Sequence, residues 1–151
     1  VRPGAVRPFV DHTASAHAPV AAAVAALPDA RQALLWHRYV DDDPDLMTAA
    51  LLGLAPREVE PLAWETALSL RGSVLRSRLG EAGLSTPCRA YLLRLDRGRV
   101  LAVPGAVRAH ATSCAACTEL VADLDAVEHN LGGVLAQRVY RQACLDTRGD
   151  P

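Results

Sequence analysis

Apolar residues recur at spacings of three and four along most of the chain, and nowhere do they alternate long enough to build a sheet. The Ala-rich stretch 20–26 predicts a short helix ended by Leu27-Pro28. Pro28 suits the first turn of a second helix reaching about Val40, with Asp29 near its positive end and Leu34, Leu35 and Tyr39 as its buried stripe. Asp41-Asp42-Asp43-Pro44 stops it. A helix over about Asp45–Leu52 should end at Gly53, in a left-handed cap. A longer helix then runs to Leu79-Gly80. Beyond it the pattern predicts a helix of about Cys88–Leu95, a turn at Asp96-Arg97-Gly98, and a short helix from about Pro104 to Ala111. One long helix from about Cys114 to Cys144 carries the stripe Leu120, Val121, Leu124, Val127, Leu131, Val134, Leu135 and Val139.

The expected fold class is therefore all-α: a helix-turn-helix unit of three or four helices, then a small helical domain with a long C-terminal helix. The punctuation by Gly and Pro divides the chain into a leader (1–17), a first unit (18–79), a linker (80–87), a second unit (88–145) and a tail (146–151).

Composition narrows the function. Half of the 151 residues are apolar and 22% are charged, which favours a packed globule over disorder. Only 4% are aromatic, so a large core has few big side chains to draw on; Trp36 and Trp64 are expected inside it. The net charge of −1 argues against nucleic-acid binding by the chain as a whole. No apolar run approaches the ~18 residues of a membrane span, and the start of the chain lacks a signal-peptide core, so a cytoplasmic protein with no membrane partner is expected. Val1 in place of Met is compatible with an alternative start, a processed end or an excised fragment. All sixteen cations are Arg. With no Lys there is no lysine-bearing phosphate loop, and no serine nucleophile elbow occurs, so neither an enzyme nor a small-molecule substrate is expected.

The most specific chemistry is His110-Ala-Thr-Ser-Cys114-Ala-Ala-Cys117. Its spacings of four and three bring an imidazole and two thiols to one side of a helix or helix–turn–helix. A helix opening near Thr112 or Ser113 would place both cysteines by its positive end, where thiolate is favoured. Zinc takes such ligands tetrahedrally, and Cys88 on the preceding helix is the leading fourth ligand. His129, three helical turns or ~18 Å beyond Cys117, is too distant, and Cys144 is more so. Thr118 after Cys117 excludes a c-type haem site. A unit of this size commonly recruits a metal or a disulfide, and the same thiols could instead serve a redox sensor that releases zinc on oxidation.

Two resemblances give these features a context. Leu27-Pro28, Gln32, Leu34, Leu35, Arg38-Tyr39-Val40-Asp41-Asp42, Ala49, Leu51-Leu52-Gly53-Leu54, Pro56, Val59 and Leu70-Arg71 resemble region four of bacterial RNA polymerase sigma factors of the extracytoplasmic-function group. The likeness covers about 18–79 and implies that the third helix enters the major groove of promoter DNA, with Arg57, Arg71, Arg76 and Arg78 meeting phosphates or bases. The residues themselves pull the other way, because Glu58, Glu60 and Glu65 crowd the end that should face DNA. Pro61 inside a helix begun at Pro56 would cost ~3 kcal/mol, so the start is placed near Pro61, and Ala55 offers no capping hydroxyl.

The second likeness is to the zinc-binding anti-sigma family. It rests on Cys88, His110-x-x-x-Cys114-x-x-Cys117, Glu119-Leu120, Tyr91 and Leu95-Asp96-Arg97-Gly98 over roughly 86–142. The segment 99–104 departs from that pattern. Together the two imply a transcription regulator of the sigma/anti-sigma type, holding zinc and acting through RNA polymerase, a partner sigma factor or promoter DNA. The alternative is a protein-interaction adaptor or zinc/thiol redox sensor that kept the sigma fold without reading DNA.

Overall fold

The computed structural model describes residues 17–81, 84–98 and 101–146. The expected leader up to residue 16, positions 82–83 of the linker and 147–151 of the tail lie outside the described residues. Within them the fold is all-helical: α1 (Ala18–Ala25), α2 (Asp29–Tyr39), α3 (Asp45–Leu52), α4 (Pro56–Leu79), α5 (Thr86–Arg97), α6 (Gly105–Ala111), α7 (Ala115–His129) and α8 (Leu131–Asp146). None of these helices is long and apolar enough to cross a membrane.

The first three helices follow the sequence signals. Pro28 and Pro44 stand at the N-caps of α2 and α3, each with an aspartate next to it in the first turn. Gly53 closes α3 at φ 67°, in the left-handed conformation that glycine adopts without cost.

Two expected helix boundaries are corrected, and Tyr39, expected in the buried stripe of α2, is exposed. The first concerns α4, which starts at Pro56 and not near Pro61. Its start is secured without a capping hydroxyl: the Ala55 amide donates to Glu58 Oε2 at 2.8 Å, and Pro56 has no N–H to satisfy. Pro61 and Arg57, whose carbonyl loses its amide partner, are both exposed, so the missing bond lies on the solvated side. The second concerns the last helix, which is two helices broken at Asn130 (φ −139°). Gly132-Gly133 therefore sits in the first turn of α8 and not in mid-helix.

One core joins the segments on either side of the expected linker. Val20 and Val24 of α1, Leu35 of α2 and Leu70, Val74 and Leu75 of α4 pack in the same buried cluster as Leu92 of α5, Leu120 and Leu124 of α7, and Leu131, Val134 and Leu135 of α8. Helix α1 touches α4, α7 and α8, and α8 also packs on α2. The distal stripe of the C-terminal helices thus finds cover within the chain, except at Val139, which is exposed. A smaller core of Leu34, Ala49, Val59 and Ala63 lies beneath the α3–α4 turn. Trp36 packs on the main core, but Trp64, expected inside, is 47% exposed.

Candidate metal centre

Three helix ends bring four candidate ligands to one point. Ser85 caps α5: its hydroxyl oxygen accepts from the Cys88 amide at 3.4 Å, while its O–H donates to Cys88 Sγ at 3.0 Å. One serine therefore fixes both the helix start and the thiol. His110 occupies the penultimate position of α6. A tight turn follows, in which the Ser113 and Cys114 amides donate back to the His110 and Ala111 carbonyls, each at 3.2 Å. Cys114 is then the N-cap of α7, and Cys117 lies one turn inside it. Thr118 holds this corner by donating its hydroxyl to the Ala111 carbonyl at 2.6 Å and the Cys114 carbonyl at 3.0 Å.

The donor atoms of Cys88, His110, Cys114 and Cys117 all lie within 4.8 Å of one another, and the group can hold a metal ion. Cys88 Sγ stands 3.3 Å from His110 Nε2 and 3.5 Å from Cys114 Sγ. Sulfur at ~2.3 Å and nitrogen at ~2.0 Å from a tetrahedral ion would stand about 3.5 Å (S···N) and about 3.8 Å (S···S) apart, so the spacing is compatible with zinc. The three cysteines are free thiols. Tyr91 stacks on the His110 ring with centroids 4.8 Å apart, fixing the imidazole's plane.

Charge in the cluster is uneven. The Ser85 hydroxyl, followed by His110, draws the Cys88 thiol down to about 6, whereas burial, with Cys88 next, pushes Cys117 up to about 12. Cys88 and Cys117 are 3% and 1% exposed. A charge on Cys88 disfavours a second one on Cys117; a divalent cation held between them would remove that conflict.

The sequence singled out all four residues that the fold brings together, but not the roles of Ser85 and Tyr91 beside them. Ser85 was legible as a helix N-cap three residues before Cys88, and Tyr91 as an aromatic on the same helix. His129 stands apart, beside Glu128 at 3.6 Å. The backbone of α8 includes Cys144, whose side chain is outside the described residues.

The four arginines expected at DNA do not form one surface. Arg57 and Arg76 are exposed. Arg71 is 3% exposed and donates through Nη1 to the Leu95 carbonyl at 2.8 Å, so it faces the inside of the fold. Arg78 is held by Glu81, Glu119 and Asp123 at 3.0, 3.4 and 3.3 Å. Its neighbour Asp123 is fully buried, between Arg78 and His17. Nothing in the local pattern signalled these tertiary partners.

No protein-family model, curated protein or solved structure matches the chain.

Proposed function

We propose that this chain is a transcription regulator of the sigma/anti-sigma type, stapled by zinc at Cys88, His110, Cys114 and Cys117, that works by contacting RNA polymerase and not by reading DNA. The observation carrying the protein-contact reading is the free face of α3. Leu46, Met47 and Leu51 lie on one side of this helix and are 72%, 51% and 59% exposed. Contiguous exposed apolar surface of this kind marks interaction sites. The turn before α3 carries Asp41 and Asp42, and the start of α4 carries Glu58 and Glu60, all exposed. This charge suits a partner surface that is apolar at its centre and basic at its edge, and it repels phosphates. Zinc fits the second module because its ligands come from three separate short elements that a single ion would fasten.

The test uses the zinc-loaded chain with purified RNA polymerase and, separately, with duplex DNA at two salt concentrations. Polymerase binding that Leu46→Glu with Leu51→Glu reduces at least about tenfold, with zinc content unchanged, is the expected result. Duplex affinity that falls steeply with salt and requires Arg57 and Arg76 would establish the DNA reading instead. Binding to a free sigma factor but not to polymerase would reassign the partner.

A further inference from the structure

Two aromatic side chains that the sequence points inward stand outside the core: Tyr39 at the end of α2 and Trp64 on α4. The inner side of α4 buries Val59, Ala63, Thr66, Ala67 and Leu70. Its outer side carries Glu60, Pro61, Trp64 and Glu65, all exposed. Glu60 precedes Trp64 by one helical turn, which makes their side chains neighbours with Cβ atoms about 6 Å apart. Glu60 also reaches α2. Burial raises the Tyr39 hydroxyl above the ordinary tyrosine range; the Arg38 charge works against this and the Glu60 charge adds to it. One carboxylate is thus within reach of two exposed aromatic rings, one on each helix.

The charge around this point is negative. Between residues 31 and 65, all of them described, seven acids stand against three arginines, a net of −4 in a chain whose total is −1. Arg31 is committed to α4, its Nη1 donating to the Leu62 carbonyl at 3.2 Å and the Thr66 hydroxyl at 2.9 Å. Arg38 is half-buried, and Arg57 is exposed one turn before Glu60. Among the described residues no ion pair includes Glu60 or Glu65. A carboxylate without an ion-pair partner beside an exposed indole suits a guanidinium, which forks onto carboxylate oxygens and stacks on an aromatic face. A phosphate would be repelled here, and a purely apolar partner would desolvate Glu60 without compensation.

We propose that Trp64, Glu60 and Tyr39 form a docking point for an arginine carried on a basic segment of a partner polypeptide, its guanidinium against the Trp64 ring and forked to Glu60. The N-terminal half of the second helix is the part of a helix-turn-helix that meets base edges in DNA-binding members. In this chain the same part offers an aromatic ring and a carboxylate to a cationic side chain. The docking point uses none of Leu46, Met47 and Leu51 and holds for any partner that presents such a segment.

The metal-loaded full chain, ¹⁵N-labelled, is titrated with a capped amphipathic peptide of leucine and arginine, and with the same peptide carrying citrulline for every arginine. The indole N–H signal of Trp64, one of two tryptophans, reports binding in the wild type, and the amides of α4 report it in the variants. A saturable shift with the arginine peptide is expected, with the citrulline peptide at least about tenfold weaker. Trp64→Ala and Glu60→Gln, both at exposed positions, should each weaken binding about fivefold or more, with melting and zinc content unchanged, whereas Leu51→Ala should leave it as in the wild type. The absence of any saturable shift at millimolar peptide would overturn the proposal. So would equal binding of the citrulline peptide, or variants at Glu60 and Trp64 that bind as tightly as the wild type, which would reduce the effect to diffuse attraction. Because neither variant touches the α3 face, failure here leaves the polymerase reading standing.

Discussion

At Gly132 a missing side chain lets α8 run against the end of α2, since a Cβ there would overlap the Tyr39 carbonyl oxygen. Alanine normally improves a helix by up to about 1 kcal/mol over glycine. Here the backbone carbonyl cannot swing aside as a side chain would, so Gly132→Ala should destabilise the chain by about 1–3 kcal/mol in urea unfolding. Gly105→Ala, with open space around its Cβ, is the control and should be neutral or mildly stabilising. Equal effects at the two positions would contradict the close approach. The same scale shows what a sequence yields. Cys88, His110, Cys114 and Cys117 were legible because metal chemistry restricts residue types and spacings tightly. Arg71 was not. An arginine reads as surface, and it becomes core only because the Leu95 carbonyl of α5 meets it from another part of the chain.

The helices show the same division between local and tertiary causes. Gly53 could be placed in advance, because a left-handed cap is a property of one residue. The break at Asn130 could not, since it lies beside the contact of α8 with α2; the start at Pro56 has a local cause, Glu58 turning back to the Ala55 amide, that the rule against an internal proline overrode. Asp123 gives a consequence of helix packing that can be measured. It sits on α7, fully buried, facing Arg78 on α4 and His17 before α1. Burial outweighs these partners and raises its carboxyl above the usual range; burial also works against the charge of Arg78, but there Glu81 and Asp123 together prevail and hold it more firmly charged. A raised carboxyl contributes stability below its ordinary pKa and loses it as pH climbs through the folded value. In zinc-loaded protein, Asp123→Asn removes that loss. Its stability relative to wild type should therefore rise as pH climbs from the ordinary carboxylate pKa and level off above the raised folded value. A relative stability that falls over the same range would show that the ion pair with Arg78 dominates.

For the whole molecule, the core running from Val20 to Leu135 ties together the segments on either side of the expected linker. The two likenesses, read along the chain, describe separate units and give no hint of that packing, because shared burial of Leu70 with Leu92 or Leu124 has no local signature. On this reading the ion is a fold-wide element: Cys88, Ala111 and Cys117 form a cluster continuous with residues such as Leu84 and Val121 that also touch the main core. The most direct test is the zinc content of the chain purified under reducing conditions without added metal, for wild type and for Cys114→Ser, followed by melting with and without a chelator. The account predicts one zinc per wild-type chain, its loss in the variant, and a melting transition that the chelator lowers or broadens. A wild-type chain that carries no metal and melts cooperatively at the same temperature with or without chelator would contradict it.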